Sequence, residues 1–118
     1  SSWTKPVGNW RRSAAMAVRL VWTPKARADV KSIYLHIGAD QPRAAERYYE
    51  RIRTKVDLLR EHPRLGDRHP EIFRSARMLV EAPYVILYQT LPDADEGPVE
   101  TVEIVRVVDG RRDLAAMF

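Results

Sequence analysis

The residues best suited to bind an anion in this 118-residue chain are arginines in or beside its strand-like segments: Arg74, Arg77, Arg106, Arg111 and Arg112. The guanidinium group is planar and binds a carboxylate or a phosphate through two parallel hydrogen bonds. Arginines gathered on one face of a sheet could therefore hold an acidic or phosphorylated ligand.

Arg106 is the most informative of these arginines because it lies inside an apolar segment. Strand alternation places it on the same face as Val102, Ile104 and Val108, where an aliphatic residue is expected. A guanidinium at such a place must pair with a carboxylate or lie on an open face. Two interpretations stay open. Arg106 either pairs with an acid on a neighbouring strand, or it belongs to a concave, arginine-lined sheet face that receives an anionic or polypeptide ligand.

The groups that metal or nucleophilic catalysis needs are scarce. The chain has no cysteine, and His36, His62 and His69 do not have the spacing of metal ligands. Ser75 has no recognisable base partner, and phosphate-binding loops, dinucleotide fingerprints and nucleophile elbows are missing. We therefore expect no metal, no cofactor and no catalytic residue, and a protein that acts by binding rather than as an enzyme.

The net charge of +4 is unevenly distributed. Residues 1–15 contain Lys5, Arg11 and Arg12 and no acid, so the other 103 residues carry a net charge of only +1. Within them, residues 78–110 carry a net charge of −6. A domain that is nearly neutral but polarised favours a protein-binding surface, and we do not expect it to bind nucleic acid directly.

The first 15 residues form a separate region. They lack a hydrophobic period, and we interpret them as a flexible, expression-derived or upstream-derived tail, with one domain over residues 16–118 that starts at Met16. No window approaches the roughly 20 apolar residues of a membrane span. Together with the missing cysteine, this favours a cytoplasmic protein without a membrane partner.

Hydrophobic periodicity predicts an α+β fold of order β-α-α-β-β-β. Thr23-Pro24 and Gln41-Pro42 are typical helix starts, Gly38 is a stop, and Pro63 ends the second helix near His62. The predicted strands, separated by short connections, are Val18–Trp22, Ser75–Val80, Tyr84–Leu91 and Val99–Val108. The two helices should form a hairpin packed on one face of a mainly antiparallel four-stranded sheet.

The outer side of the second predicted helix carries both signs of charge. Its acids are Glu46, Glu50 and Asp57, and its arginines are Arg47, Arg51, Arg53 and Arg60. Such a mixture is typical of a solvated helix face held by weak ion pairs three or four residues apart.

Five segments in order resemble the RelE/ParE toxin superfamily, and its ParE branch in particular. They are Val21–Val30, Pro42–Ala45, Pro63–Gly66, Tyr84–Tyr88 and Val105–Asp113. The resemblance extends over residues 16–114 and agrees with the order of elements derived from periodicity. It implies the toxin of a type II toxin–antitoxin system, neutralised by a cognate antitoxin.

Two activities are known within this superfamily. ParE-like members inhibit DNA gyrase, trapping it on cleaved DNA, whereas RelE-like members cut mRNA in the ribosomal A site. The sequence departs from the RelE pattern at Val85, where the nucleases usually have arginine, and at Phe118, where a tyrosine is frequent. These two departures from the nuclease pattern lead us to expect a gyrase inhibitor, with a ribosome-dependent endoribonuclease as the alternative. The sequence also departs from the ParE pattern, which often has histidine where Asp109 stands.

The resemblance also implies where partners bind. We expect an antitoxin segment to fold along the helical hairpin and the sheet, with its acids on Arg74, Arg77 or Arg106. The wider set of antitoxin- or target-binding candidates adds Tyr84, Tyr88, Arg111 and Arg112. A toxin–antitoxin heterotetramer is the expected assembly.

Overall fold

The alternating apolar residues of the second half of the chain form the sheet, and the two helical segments of the first half cover it. A computed structural model describes residues 17–118, so the predicted tail lies outside the described residues. The helices are α1 (Pro24–Gly38) and α2 (Pro42–Leu58), followed near the end of the chain by a 3-10 turn, Ala115–Met117. The strands are β1 (Arg19–Trp22), β2 (Asp67–Arg68), β3 (Arg77–Glu81), β4 (Tyr84–Leu91) and β5 (Thr101–Asp109).

The predicted α+β class and element order are confirmed, with one strand more than predicted. The sheet has the order β1-β5-β4-β3-β2, with β1 parallel to β5 and all other pairs antiparallel. The additional strand β2 has two residues, Asp67 and Arg68, which pair with Met78 and Arg77. A two-residue strand has no alternation to detect, so the sequence placed this segment in a loop.

Both helices begin where the sequence predicts. The Thr23 hydroxyl accepts a hydrogen bond from the Ala26 amide at 3.0 Å, and Pro24 occupies the first turn of α1. Helix α1 ends at Gly38 as predicted, whereas α2 ends at Leu58, before the predicted limit near His62. Turns continue to His62, whose amide donates to the Leu58 carbonyl at 2.9 Å. The helix therefore ends before the proline, and a further turn includes Pro63, with the Leu65 amide donating to the His62 carbonyl at 3.1 Å.

A bulge in β5 changes which face its residues occupy. Ile104 pairs with Tyr88 and Arg106 pairs with Leu87, so Val105 is the additional residue of β5. Because one inserted residue reverses alternation, Arg106 and Val108 do not share a face with Val102 and Ile104. The predicted common face of these four residues is therefore wrong.

The sheet has a hydrophobic cluster on each face. The larger one joins Ile52 and Val56 of α2, and Leu59 just after it, to inward-facing strand residues such as Ile86 and Tyr88. The smaller one lies on the other face, around Val85, Leu87 and Val108, beneath Ile72, Ala76, Leu114 and Met117. Segments before β3 and after β5 thus cover the face that the helices leave open. In the described residues, no helix is long and apolar enough to span a membrane.

Candidate functional site

Arg77 is buried within the fold. Its side chain is 6% exposed, and its Nη1 donates to the Gly66 carbonyl at 3.0 Å. The Asp95 carboxylate lies 3.4 Å from Nη2, while the buried Nε has no hydrogen-bond partner among the described residues. Arg77 therefore ties β3 to the chain after α2, and a partner on the surface cannot reach it in this conformation.

Tyr88 of β4 lies beside Arg77 of β3 and also holds the loop after α2. Its side chain is fully buried, its hydroxyl donates to the Pro63 carbonyl at 2.9 Å, and it accepts from the Gly66 amide at 2.8 Å. Burial raises the pKa of Tyr88, which keeps the hydroxyl protonated and able to donate. A Cβ on Gly66 would approach the Met78 carbonyl oxygen to 2.7 Å, so this close packing requires glycine. The predicted binding residue Tyr88 is thus used inside the fold.

The acidic loop between β4 and β5 is held by arginines. Arg68 pairs with Asp93 at 2.9 Å and with Asp95 at 2.8 Å, and these bonds lower the pKa of Asp95. Arg64 donates to the carbonyls of Ala94 and Gly97, both at 2.8 Å. Part of the negative charge that the sequence places in residues 78–110 is therefore neutralised by Arg68 of β2.

Arg106 pairs with an acid, but on a helix rather than on a neighbouring strand. Its Nε and Nη2 donate to the two carboxylate oxygens of Asp29 in α1 at 2.7 and 2.9 Å. Asp29 also accepts a hydrogen bond from the Val107 amide at 2.9 Å. This part of β5 lies beyond its pairing with β1, which ends at Ile104. The predicted ion pair of Arg106 therefore exists, but the predicted location of its acid on a neighbouring strand is wrong. The alternation of residues along a strand does not report contacts between that strand and a helix.

Tyr84 and Arg111 come together at the opposite end of β4 and β5 from the acidic loop. Tyr84 packs edge-on against Tyr48 of α2, with ring centroids 5.7 Å apart, and desolvation raises the pKa of Tyr84. Arg111 pairs with Asp109, the residue opposite Tyr84, at 2.6 Å and lowers the pKa of Asp109 to about 2. Arg74 and Arg112 are exposed, and neither forms an ion pair within residues 17–118.

The seven predicted residues therefore do not form one site. Arg77 and Tyr88 belong to the loop attachment, Arg106 belongs to the contact between α1 and β5, and Tyr84 and Arg111 lie near the end of β5. Three of the predicted arginines are held by carboxylates of the same chain: Arg77, Arg106 and Arg111.

A groove that the sequence did not reveal lies between α1, α2 and the edge strand β1. Its volume is about 780 Å³, and Leu20, Trp22, Val30 and Ile52 contribute its apolar lining. Tyr34 and Tyr49, 39% and 41% exposed, contact each other edge-on across the two helices. Its charged residues are Arg27, Lys31, Glu46, Glu50, Arg53, Asp57 and Arg60. The apolar helix stripes were recognised in the sequence, but the incomplete covering of β1 by the helices depends on their packing.

The described part of the chain holds no cluster of three or more histidine or acidic side chains arranged for a metal ion. His69 instead pairs with Glu71 at 2.9 Å, and this hydrogen bond lowers the pKa of Glu71. The groove, with its apolar lining and charged rim, therefore suits an amphipathic polypeptide.

Comparisons with known proteins agree with the geometry. Residues 20–114 match the family described as the ParE toxin of the type II toxin–antitoxin system, parDE. Toxin RelE2 of Caulobacter vibrioides is 39% identical over 70 residues, covering 59% of this chain and 77% of the relative. Putative toxin Y4kP of Sinorhizobium fredii is 39% identical over 79 residues, covering 65% and 80%.

A solved structure supports the same assignment. A chain of the chromosomal ParDE TA system from P. aeruginosa superimposes with a TM-score of 0.64 at 25% identity, covering 80% of this chain and 97% of that one. The family match extends from β1 to beyond β5, so it includes both helices and the whole sheet. The chain belongs to the ParE toxin family of type II toxin–antitoxin systems, within the RelE/ParE superfamily.

Proposed function

We propose that this toxin inhibits DNA gyrase by binding to it, without catalysis of its own, and that a cognate antitoxin neutralises it. The observation that carries the proposal is the internal pairing of the arginines that a nuclease would need for phosphate. Arg106 is held by Asp29, and Arg111 is held by Asp109. A guanidinium already bound to a carboxylate is poorly placed to stabilise a developing charge on a scissile phosphate.

Two further residues support a non-nucleolytic toxin. Val85, at the place where the ribosome-dependent nucleases usually have arginine, is buried in the smaller hydrophobic cluster. Phe118, where a tyrosine is frequent, packs on Phe73 with ring centroids 4.8 Å apart. Neither residue can transfer a proton or contact a phosphate through a charge.

The direct test is a supercoiling assay with purified gyrase. We expect micromolar toxin to block supercoiling and to accumulate cleaved DNA, and we expect equimolar antitoxin to reverse both effects. Full supercoiling at saturating toxin would contradict the proposal. A primer-extension assay on translated mRNA tests the alternative activity, endoribonuclease cleavage, and compares the unsubstituted toxin with the variants Arg106→Ala and Arg112→Ala.

The alternative is a ribosome-dependent endoribonuclease, favoured by the similarity to a relative named toxin RelE2 and by the exposed Arg74 and Arg112. In that case toxin-dependent cuts would appear in the ribosomal A site and would weaken in the arginine variants. The gyrase proposal predicts no such cuts in any of the three proteins.

The antitoxin is proposed to occupy the groove between α1, α2 and β1. An amphipathic segment would cover Trp22 and the Tyr34–Tyr49 pair while its charges meet the mixed rim. Tyr49→Ala is expected to weaken antitoxin binding at least tenfold. Leu58→Ala is the matched control, since Leu58 is also exposed on α2, at 44%, but does not line the groove. Equal effects of the two substitutions would contradict this placement.

We also propose a heterotetramer of two toxins and two antitoxins, which light scattering of the purified complex would reveal as its total mass. A complex of one toxin with one antitoxin would contradict this assembly while leaving the groove assignment intact.

A further inference from the structure

One exposed side of α2 carries a continuous row of cations. Residues four apart follow one another along a helix face, and such a row contains Arg43, Arg47, Arg51 and Lys55. We call this row the basic flank. None of these four residues lines the groove, whereas Glu46, Glu50 and Asp57 line it together with Arg53.

The fold leaves the arginines of the basic flank unneutralised. Arg43, Arg47 and Arg51 are exposed, and none of them forms an ion pair with any residue of 17–118. The expected ion pairs along α2 are reduced, in the described residues, to Arg60 with Asp57 at 3.7 Å. Cations placed four residues apart repel one another, so the basic flank disfavours the isolated helix. An anion laid along the flank would remove this repulsion.

Contacts with the β3–β4 hairpin orient the basic flank. The Lys55 ammonium donates to the Val80 carbonyl of β3, and Tyr48 packs against Tyr84 at the start of β4. The flank therefore meets the hairpin at its Lys55 end, and none of its four residues lines the groove proposed for the antitoxin. A ligand on the basic flank would not have to displace an occupant of the groove.

We propose that the basic flank of α2 contacts the phosphate backbone of duplex DNA. Its cations recur about every 6 Å along the helix axis, so the row can meet several phosphates of one DNA strand, which follow one another at about 3.4 Å along the duplex axis. The flank presents arginines and few apolar side chains, whereas a stable protein interface needs an apolar centre. A polyanion recognised through its backbone fits this surface better than an acidic protein segment does.

The choice of DNA over RNA rests on the proposed function, because gyrase holds duplex DNA and its inhibitor acts beside that DNA. The row of exposed cations on α2 also changes the expectation drawn from net charge. A nearly neutral domain can still present a locally basic surface where its cations are not paired with its acids.

The test is a fluorescence anisotropy titration of a labelled 20-base-pair DNA duplex with the full chain, without gyrase or antitoxin. We expect binding at 50 mM salt that weakens steeply by 200 mM salt. The triple variant Arg43→Gln, Arg47→Gln and Arg51→Gln should lower the affinity at 50 mM salt at least tenfold. It should also reduce the slope of log affinity against log salt by about 3, because each phosphate contact contributes about 0.9.

A matched control removes the same charge from the groove through Arg27→Gln, Lys31→Gln and Arg53→Gln. This control should change DNA affinity less than threefold, and circular dichroism should show both variants folded. If the triple variant unfolds, the single substitution Arg47→Gln takes its place. We expect this variant to reduce the slope of log affinity against log salt by about 1.

The proposal would be overturned if the unsubstituted chain did not bind DNA at 50 mM salt, or if both triple variants lost DNA affinity equally. It would also be overturned by tenfold tighter binding to an RNA duplex of the same length, or by stronger competition from polyglutamate than from unlabelled DNA. The supercoiling assay is independent of these results. A toxin that fails to bind DNA alone but still inhibits gyrase would refute the basic-flank contact and leave the proposed function standing.

Discussion

At the scale of single residues, several side chains that could serve recognition are used to hold the fold. Tyr88 and Arg77 were predicted from the sequence as binding residues, yet both are buried and attach the loop after α2 to the sheet. A sequence shows which groups are polar, whereas the number of hydrogen bonds that each group makes inside the fold depends on its neighbours in space.

The role of the Tyr88 hydroxyl can be measured with a pair of matched substitutions. Tyr88→Phe leaves the Pro63 carbonyl and the Gly66 amide without their partner, so we expect the free energy of unfolding to fall by about 1–3 kcal/mol. Tyr84→Phe on the same strand should change it by less than about 0.5 kcal/mol, because Tyr84 is only partly buried. Urea denaturation gives both values, and equal effects would contradict the assigned role.

The Asp109–Arg111 pair predicts a measurable titration. Arg111 lowers the pKa of Asp109 to about 2, below the value of about 4 for an unfolded chain. The pair therefore stabilises the fold above about pH 4, and this stabilisation is lost as the pH falls towards 2. In an NMR titration, Arg111→Gln should raise the pKa of Asp109 towards 4. An unchanged pKa in this variant would contradict the pairing, and Arg112→Gln is the control.

At the scale of elements, α1 is joined to β5 by polar contacts as well as by apolar packing. The Thr23 hydroxyl donates to the Val105 carbonyl at 2.8 Å, at the bulge, and Asp29 binds Arg106 and the Val107 amide one turn further on. The pairing of β1 with β5 ends at Ile104, so the next part of this edge of β5 is open to α1, whose Asp29 supplies the carboxylate. This arrangement explains how an arginine is accommodated within an apolar strand.

Removing the acid of this contact should be costly. Asp29 and Arg106 are only 14% and 19% exposed, so Asp29→Ala leaves a guanidinium and an amide without their acceptor. We expect the free energy of unfolding to fall by about 3 kcal/mol. Replacing both residues, through Asp29→Ala with Arg106→Leu, should recover part of this loss because no unpaired charge remains. Denaturation curves of the single and double variants measure the coupling, and simple additivity would argue against it.

At the scale of the whole molecule, the placement of charges matters more than net charge. The acidic loop after β4 is paired with Arg68, while Arg43, Arg47 and Arg51 of α2 form no ion pair within residues 17–118 and do not line the groove. The molecule therefore presents two surfaces of different character. One is an apolar groove with a mixed charged rim, and the other is a basic helix flank.

We propose that the surfaces described in residues 17–118 suffice for the toxin's activity. A chain shortened to begin at Met16 should retain its free energy of unfolding within about 0.5 kcal/mol, its antitoxin affinity and its inhibition of gyrase. Urea denaturation and the supercoiling assay measure these properties. A loss of inhibition with unchanged stability would instead assign the first 15 residues to target binding.

The order and class of the elements followed from the sequence alone, because they depend on local patterns. Apolar residues three and four apart predicted both helices, Thr23 and Pro24 predicted the start of α1, and Tyr84–Leu91 was predicted with the bounds that β4 has. The motifs in order along the chain also predicted the family. None of these inferences requires knowledge of which distant residues meet.

Only the tertiary structure decided how these elements use their polar side chains. The bulge at Val105, the pairing of Arg106 with Asp29 and the burial of Tyr88 all join residues far apart in the chain. The groove beside Trp22, and the lack of ion pairs at Arg43, Arg47 and Arg51 within residues 17–118, likewise depend on how the helices sit on the sheet. Periodicity reports which face of an element is apolar, but the partner of each charged group is set by packing between elements, and that packing determines which arginines remain available to a ligand.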